Sequence, residues 1–487
     1  MLLNALAPVA TNPACWLLQR HRYCISVWQS GPHYRQGEKT VLKQGRLLRV
    51  LGLAFGLAAV VGGVIGQGIL RSPGVVAAAT GSPSLILALW AGVGLLVLAA
   101  GMCYAELAAA IPRAGGFYAY VARAIGPRVG IAVGLAGLFG SLLSLAILSF
   151  VIGEFLIRLG IPESGFGPQG IGLLALAGFC MVNALGTRVS GGLQVGFAAF
   201  KGSVLIALVI ALLANPGSVS PTQPASVLRS DWIAIGTALV VIWNTFNGWQ
   251  NVVFFAEEVD DPGRNIPRSL VFGILAITAI YLLVNFALIH TLGTADMAGS
   301  KLAVADAAGL AIGETADVAI AIFSVISVAA IANYMLVSAS RLLFSLARAG
   351  LFPAQMAYVD PRGTPLFAML AIALAASGFL LTGTYLTLVS MQAPSTILAL
   401  IVVMAALVIL RRREPDLIRP FRVPLYPFSV GFVILFASAL FVVSLIQDPI
   451  SGALGLLVNG GLIAAVLILA GERAKEARPP DLNEDDQ

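Results

Sequence analysis

Two interruptions in otherwise apolar stretches are the segments of this sequence best suited to bind a solute. The first is Gly62-Gly63-Val64-Ile65-Gly66-Gln67-Gly68, and the second runs from Asn244 to Asn251. Inside a bilayer, backbone groups freed by a helix break need another partner. Paired breaks in matching positions of two chain halves indicate a transporter's binding site. The sequence therefore predicts that a small solute binds between the two segments.

The first break offers chemistry for both ends of a zwitterion. A half-helix that starts there exposes unpaired N–H groups and partial positive charge, which suit a carboxylate. The predicted carboxylate donors are the N–H groups of Gly66, Gln67, Gly68 and Ile69. The half-helix that ends there frees the carbonyls of Val64 and Ile65 to accept from an ammonium group. An alternative interpretation is that Gly62 and Gly66, spaced as G-x-x-x-G, only let two helices pack closely.

The second break carries amides and aromatic rings. The predicted ligand contacts here are Trp243, Asn244, Phe246 and Asn247. Phe246 lies at the break itself, and we expect it to act as a gate over the ligand. Aromatic residues at helical spacing are more often plain core, and that interpretation is favoured for Trp249.

Lys201 is the most conspicuous charge, because it lies inside an apolar stretch. An ammonium group in lipid is costly and usually faces a cavity or a partner. Its neutral form becomes accessible on desolvation, so Lys201 is predicted to carry a proton or to replace a metal cation. The alternative is that its side chain snorkels to the nearby interface.

Three carboxylates at the ends of apolar stretches form a candidate inner gate. Glu106 lies at the end of the second apolar stretch along the chain, near 84–110. Glu257 and Glu258 lie at the end of the sixth, near 232–256. The cations available to pair with them are Arg113, Arg264 and Arg341. These carboxylates equally suit residues that only mark the membrane interface. Two further residues, Arg71 and Glu154, either line a vestibule at the other face or have a structural role.

Composition excludes a water-soluble globule. Of 487 residues, 59% are hydrophobic and 11% are charged, and the mean hydropathy is +0.93, whereas soluble domains are about half apolar. The net charge of +6 is not concentrated in a soluble module, so no nucleic-acid partner is expected. The four cysteines show no metal spacing, and enzyme and nucleotide-loop motifs are absent from the sequence. We therefore expect a membrane protein that is not an enzyme and holds no metal or cofactor.

Apolar runs long enough to cross about 30 Å of hydrocarbon recur twelve times. They lie near 50–79, 84–110, 128–158, 170–186, 191–214, 232–256, 268–292, 315–346, 365–383, 388–410, 425–446 and 452–471. With both termini cytoplasmic, 24 of the 29 Lys and Arg residues fall inside and four outside, while Lys201 lies within a span. This distribution follows the positive-inside rule.

The spans divide into two sets of five, each beginning with a broken helix. Five is odd, so the second set starts from the opposite face, which is the inverted-repeat plan of many secondary transporters. We therefore predict an all-α membrane protein with twelve transmembrane helices. Its single transmembrane domain covers 47–471, with repeat one at 47–215, repeat two at 231–411 and helices eleven and twelve at 425–471. The polar segments 1–46 and 472–487 are expected to be cytoplasmic tails.

Several motifs across the chain resemble one known superfamily. They are Gly66-Gln67-Gly68-Ile69, Tyr104-Ala105-Glu106-Leu107 followed by Ile111-Pro112-Arg113, Phe246-Asn247-Gly248-Trp249, and Arg419-Pro420-Phe421-Arg422-Val423-Pro424. Together they resemble the amino acid, polyamine and organocation permease superfamily, with the greatest similarity to the L-type neutral amino acid transporters. Two departures concern the gate, where Asn244 and Asn247 replace the phenylalanine and glycine of the L-type proteins.

The resemblance implies a leucine-transporter-like fold with alternating access around broken helices one and six. It also implies that Lys201 takes the place of a sodium ion. By the same mapping, Val64 and Ile65 accept the substrate ammonium, and Gly66, Gln67 and Gly68 donate to its carboxylate. The asparagines at the gate leave the side-chain preference open between small or polar and large amino acids.

The functional hypothesis is a sodium-independent secondary transporter of a neutral L-amino acid in a bacterial inner membrane. Proton symport and exchange both stay open, as does assembly into a homodimer. A cationic amino acid or polyamine exchanger is the alternative within transport. A sensor, or a subunit that needs a partner, is the alternative outside it.

Overall fold

A computed structural model describes residues 47–162, 165, 167–214, 232–300, 302–313, 315–382 and 385–471. The predicted tails and the junction 215–231 between the predicted repeats lie outside these residues. Within the described residues, the regular secondary structure is helical apart from one isolated parallel bridge between Leu51 and Val259. The predicted all-helical fold class is confirmed at this level.

The helices follow the predicted apolar stretches closely. In chain order, they are α1 Leu53–Val64, α2 Gln67–Thr80, α3 Pro83–Ala110, α4 Phe117–Ala124, α5 Pro127–Arg158, α6 Gly167–Asn183, α7 Thr187–Ala214, α8 Trp232–Thr245, α9 Pro262–Gly299, α10 Ala303–Ile312, α11 Ala316–Arg348, α12 Leu366–Thr382, α13 Tyr385–Arg413, α14 Phe428–Gln447 and α15 Pro449–Ala470. Two 3-10 helices, Trp249–Phe255 and Ala354–Ala357, complete the set in the described ranges.

Eight of these helices are long and apolar enough to cross a membrane. The pair Leu53–Val64 and Gly68–Thr80, bent by 46°, passes the same test as one broken span. Helices α6 and α12 are apolar but shorter. The chain is thus a helical, multi-pass membrane protein.

Three features were not anticipated from hydropathy. Helices α4 and α10 are too short to cross a bilayer, so a search for long apolar runs does not find them. Helix α9 extends beyond the predicted span 268–292 and contains a non-helical residue, Gly293, with φ 73°. The positive φ angle of Gly293 favours a residue without a Cβ atom. The kink at Gly293 turns the last part of α9 away from the axis of the part before it.

Burial separates a central pair of helices from a peripheral pair. We compare the most apolar 18 residues of each long helix. Of these residues, 83% are buried in α5 and 78% in α11, against 22% in α14 and 11% in α15. Helices α14 and α15 therefore present most of their apolar surface to the surroundings, as lipid-facing helices do.

Packing brings the two broken segments together. Helix α1 packs against α7 and the 3-10 helix Trp249–Phe255, whereas α2 packs against α8. Buried residues of α7 recur at helical spacing along one face, and Lys201 lies on that face. This side of α7 is therefore directed at the first break.

Glu106 connects α3 to the last turn of α13 and to the segment that follows it. Its carboxylate accepts from the Arg411 guanidinium at 2.8 Å and 2.5 Å and from the Val423 amide at 2.7 Å. Arg419 lies 3.4 Å from the same carboxylate. These partners differ from the three arginines that the sequence suggested, because Arg411 and Arg419 are about 300 positions away in the chain and only the fold brings them close.

Removal of this carboxylate charge is expected to destabilise the protein. Glu106→Gln leaves Arg411 and Arg419 without their anion, and loss of one partner of a buried pair costs about 3 to 5 kcal/mol. The matched control is Glu414→Gln, whose partner Arg123 is 42% exposed, so that its loss should cost less than about 1 kcal/mol. Thermal unfolding in detergent measures both. An equal midpoint for Glu106→Gln and Glu414→Gln would contradict the stabilising role of Glu106.

Candidate functional site

The first break separates α1 from α2 by two residues in extended conformations. Ile65 has φ −66° and ψ 111°, and Gly66 has φ −164° and ψ −148°. No side chain caps the start of α2. Since the first N–H groups of a helix have no acceptor within it, those of Gln67, Gly68 and Ile69 are available to an anion.

Lys201 donates directly to the end of α1. Its Nζ atom lies 2.7 Å from the Gly62 carbonyl oxygen and 2.9 Å from that of Ile65. The side chain is fully buried, so it does not snorkel to an interface. The carbonyl end of a helix carries partial negative charge. The ammonium group therefore satisfies the polar groups that the break would otherwise leave bare.

The two carbonyls predicted to accept a substrate ammonium each have a partner in the protein. The Ile65 carbonyl accepts from Lys201, and the Val64 carbonyl accepts from the Tyr281 hydroxyl at 3.2 Å. A carbonyl oxygen has two lone pairs, so each retains capacity for a second donor. Their role with a substrate stays a prediction.

The second break lies directly against the first. Helix α8 ends at Thr245, and the chain turns through Gly248, which has φ 119°. A Cβ atom at Gly248 would lie 2.4 Å from the Gly63 carbonyl oxygen. This approach is open only to glycine, and it fixes the two interruptions as neighbours.

Polar contacts tie the two segments on both sides of this crossing. The Ser72 and Thr245 hydroxyls share a hydrogen bond of 2.5 Å. The Tyr281 hydroxyl bridges the carbonyl oxygens of Val64 and Thr245. The packing alternative for the glycines also applies, since a Cβ atom on Gly62 would lie 2.9 Å from that of Ala198. Close packing and freed backbone groups thus occur at the same place.

Phe246 faces away from this crossing into an aromatic cluster. Its ring lies 5.1 Å from that of Tyr281 and 6.1 Å from that of Trp90, centroid to centroid. The side chain is buried, and it lines neither of the two cavities described below. Its predicted role as a gate therefore stays a prediction, with the plain-core alternative favoured by its surroundings.

A cavity opens beside the two breaks, and we call it the helix-break cavity. Its lining includes Val64, Gly66, Gly68, Asn244, Asn247 and Arg71. Its empty volume is about 1170 Å³, including the space through which it opens. Five of the predicted ligand contacts thus share one cavity. Arg71 stacks on the Phe155 ring at 5.8 Å, whereas Glu154 is exposed.

A second cavity adjoins the first, and we call it the amide cavity. Its lining includes Trp243, Asn247, Trp249, Gln250, Asn251 and Gln392. Four residues line both cavities, namely Ser144, Asn247, Met335 and Gln392. Three of the predicted ligand contacts line neither cavity, namely Ile65, Ile69 and Phe246. A fourth, Gln67, is the first residue of α2.

The carboxylates after the second break form buried ion pairs. Glu258 binds Arg341 through two hydrogen bonds of 2.8 Å and 3.1 Å, and both side chains are almost fully buried. The Glu258 carbonyl oxygen also accepts from the amides of Val50 and Leu51. Arg341 was among the predicted partners. Glu258 therefore connects the end of the second broken segment to α11 through its carboxylate and to the start of the first broken segment through its carbonyl oxygen.

Glu257 makes the neighbouring connection. It pairs with Arg348 at 2.5 Å and accepts from the Ala114 amide at 3.1 Å. The sequence did not suggest Arg348. Glu257 and Glu258 thus join four chain segments at one end of the breaks, whereas Glu106 contacts the last turn of α13 and the segment after it.

Sequence reasoning missed several residues of the site. Tyr281, Ser144 and Gln392 come from helices α9, α5 and α13, where each is one polar residue in an apolar stretch. A polar residue inside a membrane helix usually faces the interior of the bundle, and that signal was available. Which of the many such residues meet at the breaks depends on how the helices pack.

Comparison with known proteins identifies matches over most of the chain. A family model described as amino acid permease matches residues 48–466. The serine/threonine exchanger SteT of Bacillus subtilis (strain 168) is 28% identical over 443 residues, which are 88% of this chain and 98% of the relative. The b(0,+)-type amino acid transporter 1 of Mus musculus is 30% identical over 441 residues, 85% of this chain and 87% of the relative. The large neutral amino acids transporter small subunit 2 of Mus musculus is 29% identical over 429 residues, which are 85% of this chain and 79% of the relative.

The contact between Gly248 and Gly63 generates a test of the site. Gly248→Ala places a Cβ atom against the Gly63 carbonyl and strains a backbone that L-residues avoid, at a cost of at least about 1 to 2 kcal/mol. We expect a lower unfolding temperature and the loss of the rise in unfolding temperature that a bound ligand causes. The control is Gly460→Ala on α15, where a Cβ atom meets nothing within 4 Å. Ligand binding by Gly248→Ala equal to that of Gly460→Ala would show that the close approach is not needed.

Proposed function

The chain belongs to the amino acid permease family, and from that premise we propose that it moves a neutral L-amino acid without sodium, by alternating access. The protein is an integral, multi-pass membrane transporter of amino acids and not an enzyme.

A single observation carries the proposal, namely that two opposite helix ends meet at one cavity. The uncapped start of α2 offers N–H donors, and the end of α1 offers carbonyl acceptors. A carboxylate at the first and an ammonium at the second match the charges of a zwitterion. Gly66 and Gly68 at the cavity wall leave the backbone accessible to the ligand.

Sodium independence rests on the position of Lys201. The Lys201 ammonium group already contacts the carbonyl oxygens of Gly62 and Ile65. Carbonyl oxygens are the ligands that a hard cation such as sodium would use. The ammonium group can replace such an ion, and its loss of a proton would couple transport to protons. Exchange of one amino acid for another is the other mode that we propose to test.

A neutral substrate is favoured by the charges around the cavities. Arg71 is the one charged residue among the described residues that line the helix-break cavity. The amide cavity has no Asp, Glu, Lys or Arg in its described lining. A cationic side chain would therefore meet no anion there, and an unpaired charge is costly in such surroundings.

The architecture that we propose is the leucine-transporter-like arrangement of twelve spans in two inverted repeats of five. In this arrangement the breaks in the first and sixth spans, and the two most buried of the long spans, α5 and α11, would occupy equivalent places in the two sets. The pairs Glu258–Arg341 and Glu257–Arg348 would close one end, which the charge distribution assigns to the cytoplasmic side. Both termini would lie on that side of a bacterial inner membrane.

Counterflow in liposomes tests this function. The purified chain is reconstituted alone in vesicles loaded with unlabelled leucine or serine, and entry of the labelled amino acid is followed with and without sodium. We expect sodium-independent entry, faster with an inward proton gradient if protons are coupled and dependent on internal amino acid if exchange operates. Stronger competition by arginine or putrescine would support the cationic alternative. No counterflow with the lone protein would favour the sensor or partner-dependent alternative.

Loss of the Lys201 ammonium is expected to abolish transport. Lys201→Met keeps much of the side-chain length but leaves the carbonyls of Gly62 and Ile65 without their donor, so uptake should fall at least about tenfold. The control Ser203→Met adds the same side chain at an exposed position of the same helix. Size-exclusion profiles establish that both variants fold. Full transport and an unchanged pH response in Lys201→Met would contradict the cation role.

A further inference from the structure

The amide cavity has an unusual lining for the interior of a membrane protein. It contains Ser141, Ser144, Asn247, Gln250, Asn251, Gln392 and Thr396, and no charged side chain among the described residues. Polar groups buried without partners are costly. A cavity that collects seven neutral polar side chains is therefore suited to a ligand group that is polar but carries no charge.

The hydrogen bonds inside the cavity decide which groups are left for a ligand. The Ser141 hydroxyl donates to the Gly137 carbonyl at 2.9 Å, and the Thr396 hydroxyl donates to the Ala393 carbonyl at 3.0 Å. A hydroxyl has one proton, so these two oxygens can only accept from a ligand. The Asn251 amide nitrogen contacts the Met335 thioether at 3.6 Å, and a thioether is a weak acceptor. Asn251 thus has donor capacity that its present partner uses poorly.

The wall between the two cavities is a hydrogen-bonded contact between α13 and α5. The Gln392 side-chain nitrogen donates to the Ser144 hydroxyl and, at 3.1 Å, to the Gly140 carbonyl. Both Gln392 and Ser144 line both cavities. A ligand whose charged ends are held at the helix breaks would direct its side chain across this wall.

An aromatic surface limits the far side of the amide cavity. The Tyr104 and Trp249 rings meet edge to face with centroids 5.2 Å apart, and both line the cavity. Phe117 lines it as well. These rings add an apolar surface to the otherwise polar lining.

We propose that the amide cavity is the subsite for an uncharged polar side chain of the transported amino acid, a hydroxyl or an amide, and that Gln392 determines this specificity. The proposal rests on the proposed function and adds the substrate class to it. A ligand group that both donates and accepts can use the acceptors of Ser141 and Thr396 together with the donors of Asn251 and Ser144, whose hydroxyl oxygen accepts from Gln392. An aliphatic side chain leaves those groups unmatched, and a charged side chain finds no counter-ion.

Pairs of amino acids with nearly equal shape test the proposal. Threonine and valine differ by a hydroxyl in place of a methyl group, and asparagine and leucine differ by an amide in place of a branched alkyl group. Each is used to compete with a labelled neutral amino acid for uptake into vesicles that contain the purified chain. A site that hydrogen-bonds its substrate rejects the analogue that lacks the polar group, so threonine and asparagine should inhibit at concentrations at least about tenfold lower than valine and leucine.

The matched variants are Gln392→Leu and Gln447→Leu. In Gln392→Leu the polar-to-apolar preference should fall at least about tenfold, with retained uptake of the apolar partners as evidence of a folded transporter. Gln447 lies at the end of α14 and bonds to Thr237, so its replacement should leave the preference unchanged. If Gln392→Leu does not fold, Thr396→Val takes its place with the same readout.

The outcomes separate this proposal from the proposed function. A preference for valine and leucine in the unaltered chain would overturn the subsite while leaving neutral amino acid transport intact. A preference for threonine and asparagine that survives unchanged in the folded Gln392→Leu or Thr396→Val variant would also overturn it. Failure of all four amino acids to compete with a labelled neutral amino acid that does enter would overturn the subsite, whereas absence of uptake of every labelled neutral amino acid would overturn the proposed function.

Discussion

The structure depends on one constraint, namely that backbone polar groups released inside an apolar bundle need partners. Two helices break at the same place, and their ends are too close for any residue but glycine at Gly248. Lys201 and Tyr281 supply donors to the carbonyls at the end of α1, whereas the start of α2 has no side-chain cap. Each of the Val64 and Ile65 carbonyls therefore keeps one lone pair for a further donor, and the N–H groups at the start of α2 are available to an anion. The proposed site for a zwitterion depends on both.

Charges elsewhere in the fold follow the same principle of satisfied burial. Glu258 and Arg341 are buried together, and each has further hydrogen bonds, so neither charge is left in an apolar environment. These pairs join elements from both halves of the chain at one end of the breaks. The amide cavity differs from these ion pairs, because the polar side chains in its described lining are neutral amides and hydroxyls. The described ion pairs therefore line neither cavity, and the lining of the amide cavity is neutral.

Much of the fold could be predicted because hydropathy is a local property. The long apolar runs gave the helices to within a few residues, and the glycines and asparagines marked both breaks. The short helices α4 and α10 were not predicted, because neither is a long apolar run. For the site, the sequence identified Lys201, Asn244 and Asn247 from their residue types. It did not identify Tyr281 or Gln392, because nothing in their immediate neighbours distinguishes them from other polar residues in membrane helices.

By itself, the sequence determined the class of protein, the positions of the helices and the places where two of them break. The physical reason is that the cost of an unpaired backbone group or charge in hydrocarbon acts on each segment separately. Only the tertiary structure decided which groups meet. Glu106 binds Arg411 and not a nearer arginine, Phe246 packs into an aromatic cluster, and Ser144 faces Gln392. These choices arise from helix packing, in which residues distant in the chain become neighbours and no local pattern records the partner.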